Sequence, residues 1–285
     1  MSDLSSFESV FRRALRNRFT YESLDFERIL IITDMEKEES DAYADKIRSF
    51  LHATIRKDTY HLEVWNHDDY SPWPRMKERI RQHEADLLIT YRMLWAQDIT
   101  VNKSLGSYVD LLSQDTDFPV LVTPHPKLYS MDHILKEEGA VLVATEHVVE
   151  DDRMVNFALK FAVPQAPLIL VHIEDEDTYK YYMNSIRKIP EISTEAAETT
   201  LRDQLLADPI HYAESITEVL KEKRPDITVE TYIRFGHLVS AYRELLEKYT
   251  ADLLVMNTKD DTQLAMHSVG YSLAVEFRQT PVLLL

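Results

Sequence analysis

The sequence carries one pattern twice. Ala85-Asp86-Leu87-Leu88-Ile89 returns as Ala251-Asp252-Leu253-Leu254-Val255, and each copy leads through a helical stretch to a closing apolar run, Pro119-Val120-Leu121-Val122 and then Pro281-Val282-Leu283-Leu284-Leu285. The openings match as well: Ile29-Leu30-Ile31-Ile32-Thr33-Asp34 against Val141-Leu142-Val143-Ala144-Thr145-Glu146. A repeat at this spacing means two tandem domains of one type, and it governs every later assignment. The division it predicts is an amphipathic N-terminal helix over 1–26, a first domain over 27–123, a linker over 124–138 and a second domain over 139–285.

Both domains read as α/β. Short β-branched runs alternate with amphipathic segments, which is the signature of βα units around a parallel sheet buried on both faces. Strands are predicted at 28–33, 60–66, 86–90 and 119–122, then at 140–145, 167–173, 228–234, 252–256 and 281–284. Helices are predicted at 38–55, 74–84 and 103–113, then at 151–162, 195–222, 238–249 and 266–277. Only 53 residues separate Thr33 from Asp86, whereas 107 separate Thr145 from Asp252. Aligned backwards from the shared Ala-Asp-Leu-Leu, the strand at 60–66 matches that at 228–234. The first domain is therefore reduced by a strand and a long helix, and its exposed sheet edge needs a cover such as the N-terminal helix.

In that helix Phe7, Val10, Phe11, Ala14 and Leu15 share one face and Arg12, Arg13, Arg16 and Arg18 lie elsewhere. Glu8 and the modest hydrophobicity argue against a membrane role and for docking on an acidic body. The chain of 285 residues has a net charge of −17, which disfavours nucleic acid and anionic lipid as main partners. No apolar run reaches the roughly eighteen residues that would span a bilayer. With no secretory signal pattern and no cysteine, the expected compartment is cytoplasmic.

A hydrophobic strand ending in Thr-Asp, a later strand leading into Phe235-Gly236-His237, then Ala-Asp-Leu-Leu-Val-Met, a glycine before a helix and a final Pro-Val-Leu strand together resemble the universal stress protein family in tandem form. The resemblance implies two Rossmann-like parallel-sheet domains that pair through their last strands, within the chain or across a homodimer, and a role in stress adaptation. It also implies a test for ATP. Nucleotide-binding members carry Gly-x-x-Gly, nine residues, then Gly-Ser or Gly-Thr, because glycines let backbone amides approach the phosphates and the helix start favours negative charge.

Measured against that pattern, the second half holds Asn257 and Asp260 at the first two glycine positions and Tyr271 at the hydroxyl position; only Gly270 is kept. The first half keeps Gly106-Ser107 at a helix start, with Tyr91 in the first glycine place. Its Gly106 lies 20 residues past Asp86, against 18 from Asp252 to Gly270. The aspartate that contacts the nucleoside in binding members is Asp34 in the first half and becomes Glu146 in the second. Asp34, Gly106, Ser107, Glu146, Gly236 and Gly270 are thus the remnants of a cofactor site. The reading that results is a non-catalytic binding module or adaptor with degenerate nucleotide motifs and no resident cofactor. The alternative is a nucleotide-dependent switch or slow ATPase that binds ATP in the first domain, which substituting Gly106 by a bulky residue should separate from the adaptor.

Other constellations are weaker. No nucleophile elbow, P-loop or His-Glu-x-x-His helix occurs, and no catalytic residue is assigned. An acidic rim of Glu146, Glu174 to Asp177 and Asp260-Asp261, with His147, His237 and His267, has the ligand types for a divalent cation but no fixed spacing, and no metal is assigned. Trp65, Tyr70, Trp73, Tyr91 and Trp95 gather at the edge of the first half. They either fill the space of the missing strand or form an apolar pocket for a small molecule or a protein partner. The segment 177–194, with Tyr179, Tyr181 and Tyr182, reads as an insertion or lid at the carboxyl edge.

Overall fold

A computed structural model describes residues 18–55, 60–66, 73–100, 103–115, 118–133, 139–145, 152–189, 193–257 and 269–285. In chain order these form β1 (Arg28–Ile32), α1 (Lys37–Ile55), β2 (His61–Trp65), α2 (Trp73–His83), β3 (Leu87–Tyr91), α3 (Ser107–Asp115) and β4 (Val120–Thr123). The second half follows as β5 (Val141–Thr145), α4 (Asp152–Phe161), β6 (Leu168–Asp175), α5 (Glu176–Ile186), α6 (Thr194–Lys223), β7 (Val229–Gly236), α7 (Leu238–Tyr249), β8 (Leu253–Met256), α8 (Val269–Glu276) and β9 (Val282–Leu284). A short 3-10 turn, Met131–His133, lies between the halves.

All nine strands join one sheet in the order β2-β1-β3-β4-β9-β8-β5-β6-β7. Every pairing is parallel except the central one, where β4 and β9 run antiparallel with Val120 opposite Leu284 and Val122 opposite Val282. β3, β4, β5, β8 and β9 are buried along their whole length, as continuous apolar runs between two helical layers require. The last strands of the two halves therefore meet within the chain. Of the two pairings the resemblance allowed, the one within the chain is made, and with both edges of β4 and of β9 occupied these strands leave no edge for a homodimer.

The repeat explains itself in the strand starts. The Asp86 carboxylate accepts the backbone N–H groups of Glu27 (2.7 Å) and Arg28 (2.8 Å), locking the entry of β1 beside β3. Its counterpart Asp252 is buried at the entry of β5, so close under Gly139 that a side chain there would overlap the carboxylate. The recurring aspartate thus has a structural place in both halves, as a hydrogen-bonded tie in the first and as a buried close contact of Gly139 in the second.

One assignment changes. β2 pairs with β1 as β6 pairs with β5, so 60–66 occupies the place of β6 and not of 228–234. The first half lacks the outer strand corresponding to β7, together with the long helix before it. The short connection from α1 returns the chain to the nearest free edge, a constraint of reach that alignment from the shared motif does not see. The N-terminal segment is also redirected. Residues 1–17 lie outside the described residues, and 18–26 are non-helical, so the predicted helix does not extend to 26. This lead-in crosses to the second half: the Phe19 N–H donates to Ser215 Oγ (3.1 Å), Asn156 bonds both the Glu22 N–H and the Thr20 carbonyl, and Phe26 packs on Phe157 and Phe161. It covers α4 and α6, not the edge of β2. Across the same boundary Phe50 of α1 stacks on Phe161 of α4 at 6.1 Å, and a single apolar core runs through both halves.

Candidate functional site

Sheets of this kind bind ligands beyond the carboxyl ends of the strands, where the strand order reverses. In the first half that point lies between β1 and β3, and it brings Asp34 and Tyr91 together. The Tyr91 hydroxyl donates to Asp34 Oδ1 and accepts the Asp34 N–H at 3.0 Å. The second carboxylate oxygen, Oδ2, accepts the backbone N–H of Trp95 at 2.8 Å. Both oxygens of the predicted nucleoside contact are therefore bonded to the chain itself.

The turn after β3 makes this geometry. Met93 (φ 63°) and Trp95 (φ 60°) both adopt left-handed conformations, uncommon outside glycine, and fold the chain back over the strand end. Beneath it lie aromatic groups at near-perpendicular packing, Tyr43 at 5.3 Å and His125 at 5.1 Å from the Tyr91 ring. Burial pushes the phenols of Tyr43 and Tyr91 far up, and in Tyr91 the neighbouring Asp34 charge adds to it. Burial also lowers the pKa of His125, whose Nδ1 accepts the Lys127 N–H at 3.1 Å.

Gly106 sits at the head of α3 with φ 103°. A Cβ on it would lie 2.8 Å from the Met93 Cα, and the Met93 N–H donates to the adjacent Leu105 carbonyl at 2.7 Å. The close approach this glycine allows is made by the protein's own backbone. Substituting it would strain the fold, so it does not discriminate between the adaptor and the switch. Ser107 is exposed at the first position of α3.

In the second half Glu146, His147, Asp260, Asp261 and His267 lie outside the described residues. Gly270 is buried in the first turn of α8, and Tyr271 beside it reaches across to the first half, where it hydrogen-bonds the Asp110 carboxylate and the Leu105 backbone. A hydroxyl position of the nucleotide motif has become an inter-domain contact. Arg92, buried directly after Tyr91, does the same in reverse. Its guanidinium donates to the carbonyls of Ala274, Phe277 (3.0 Å) and Thr280 (3.3 Å) at the end of α8, and burial lowers its pKa to about 10. Gly236 ends β7 with room for a methyl group, since Ile173 Cγ2 would be 3.8 Å from it.

The acidic run at the end of β6 is distributed among separate tasks. Glu174 meets the buried His172 (2.8 Å), Asp175 caps α5 through the Thr178 N–H (2.7 Å), Glu176 lies 3.9 Å from Arg202, and Asp177 lies 3.6 Å from His237. Among the described residues no group of three or more His, Asp or Glu side chains is placed to hold a metal ion. The segment predicted as an insertion or lid begins with a helix, α5, capped by Asp175. It is pinned to the sheet by Tyr179 on Phe235 (5.0 Å), with Arg202 over the Phe235 ring at 4.2 Å. Of the five edge aromatics, Tyr91 and Trp95 converge on Asp34, while Trp65 packs under Arg79 and against His83. Tyr70 and the Trp73 side chain lie outside the described residues. A cavity of about 250 Å³ opens instead beside the C-terminal ends of α1, α4 and α6, between Tyr21, Thr54, Asn156, Lys160, Arg224 and Asp226.

The model of the Universal stress protein family matches residues 139–276. Among solved structures the chain resembles "Putative Universal Stress Protein from Pseudomonas aeruginosa UCBPP-PA14", with a TM-score of 0.51 at 12% identity over 91% of this chain and 93% of that one. A universal stress protein from Archaeoglobus fulgidus DSM 4304 matches with a TM-score of 0.48 at 17% identity, over 90% and 85% of the two chains. Among curated proteins none matches. At such identities the solved structures speak to the fold alone.

Proposed function

We propose that this chain, whose second repeat at 139–276 matches the model of the Universal stress protein family, works as a non-catalytic stress-response binding module in which neither half holds ATP. One observation carries the reading: Asp34 is bonded on both oxygens by Tyr91 and the Trp95 backbone, and the Gly106 approach is filled by Met93. A nucleotide entering the first half would have to displace a buried aromatic cluster and break three hydrogen bonds. In the second half the sequence has Asn257 and Asp260 in place of the first two motif glycines, and a carboxylate in place of a glycine disfavours phosphate by charge.

Among the described residues no helix is long and apolar enough to cross a membrane. Native mass spectrometry of the full chain with magnesium and ATP tests the proposal. The expected result is the bare protein mass. A discrete ATP adduct that survives dilution would overturn it and favour the switch.

A further inference from the structure

Among the described residues the one long sheet ends in β2 and β7, and neither has a second partner strand. β2 is five residues long, while β7 is eight and pairs, among the described residues, with β6 alone. The Thr228 carbonyl accepts the Leu168 N–H at 2.8 Å, which fixes the phase of the strand. Backbone groups alternate along a strand, so Glu230, Tyr232 and Arg234 point theirs at β6, whereas Val229, Thr231, Ile233 and Phe235 present N–H and C=O outward. Glu230, Thr231 and Arg234 are exposed. Natural proteins blunt such an edge or pair it.

We propose that β7 is the surface through which a second copy of this chain docks, adding its own β7 antiparallel about a two-fold axis at Tyr232. The pattern of side chains selects that register. Antiparallel pairing centred on Tyr232 sets Thr231 opposite Ile233 as a hydrogen-bonded pair, Tyr232 opposite itself, and Glu230 opposite Arg234 of the second copy, twice by symmetry. Moving the centre to Glu230 or to Arg234 sets like charges face to face, which is unfavourable in directly opposed pairs. The charged groups are already held on one face: the Tyr249 hydroxyl donates to Glu230 at 2.6 Å, Arg234 meets Glu244 at 3.1 Å, and the Arg234 guanidinium lies 4.5 Å from the Tyr232 ring centre. Cross-strand contacts replace little of this, because each charge has further acceptor or donor capacity. A β7-to-β2 contact would be head-to-tail and would polymerise, whereas the self-complementary edge closes as a dimer.

The test is the oligomeric state of the full chain by sedimentation and native mass spectrometry. Wild type is expected to be a dimer. Thr231→Pro removes an outward N–H and leaves the β6 ladder intact, so it should give a folded monomer with an unchanged circular dichroism spectrum. Arg234→Glu should weaken the dimer about tenfold or more, and adding Glu230→Arg to it should restore dimerisation. A monomeric wild type, an open-ended polymer, or a dimer indifferent to Thr231→Pro would overturn the proposal. Failure of the charge swap to rescue would overturn its register. These outcomes are independent of ATP binding, so the reading of the nucleotide site stands or falls separately.

Discussion

At the scale of single residues, Asp34 and Tyr91 decide what the first half can bind. Tyr91→Phe deletes the hydroxyl that satisfies one carboxylate oxygen and the Asp34 N–H, and it should lower unfolding free energy by about 1–2 kcal/mol in urea denaturation. Equal stability in that variant would mean that the contact does not close the site. Asp110 supplies a pH signature. Burial raises its pKa above the ordinary 3.8, only partly opposed by the Tyr271 hydrogen bond. The native state then keeps a proton that the unfolded chain has released, so stability falls as pH rises from near 3.8 to the native pKa. Its partner acts in the same direction at high pH, since burial and the Asp110 charge push Tyr271 up to about 12 from 10.0. Asp110→Asn should flatten the acid slope that begins near pH 3.8 while leaving the alkaline limb to tyrosine. Identical slopes in variant and wild type would show that Asp110 is not the titrating group.

At the scale of elements, the contact that joins the halves is a helix end. The last carbonyls of a helix have no partner in their own helix, and Arg92 from the turn after β3 donates to Ala274 in the last turn of α8 and to Phe277 and Thr280 in the turn that follows it. Arg92→Met keeps most of the volume and removes the donors, and a loss of about 2–3 kcal/mol is expected from hydrogen bonds made by a charged group. No loss in chemical denaturation would assign the contact no weight. Elements of this kind were unevenly legible in the sequence. The five strands buried along their whole length, β3, β4, β5, β8 and β9, were readable because a strand buried on both faces is an unbroken apolar run, and α7 was readable from its amphipathic period. The helix α5 was not, since Tyr181 and Tyr182 leave it with little apolar face and its cap at Asp175 is a local signal inside an acidic run. The closure of the first site was hidden for another reason: Asp34 and Tyr91 are 57 positions apart and meet only because β1 and β3 are neighbours. Sequence spacing identified the altered motif but not what fills it.

At the scale of the whole molecule, the antiparallel β4–β9 junction, the Phe50–Phe161 stack and the N-terminal lead-in across α4 and α6 make the halves parts of one core. They should unfold together. The sequence provides a built-in reporter, because its three tryptophans, Trp65, Trp73 and Trp95, all lie in the first half. Their fluorescence follows that half alone, whereas far-ultraviolet circular dichroism follows both. Leu170, in β6 of the second half, is 4% exposed, and Leu170→Ala should cost about 2–5 kcal/mol by removing buried volume. If the sheet is a single cooperative unit, this change lowers the tryptophan transition by as many degrees as the circular dichroism transition, although no tryptophan lies in the half that was altered. A tryptophan transition that stays at its wild-type temperature would instead mean that the first half unfolds on its own. The β4–β9 pairing would then be a contact between two independent domains and not the middle of one sheet.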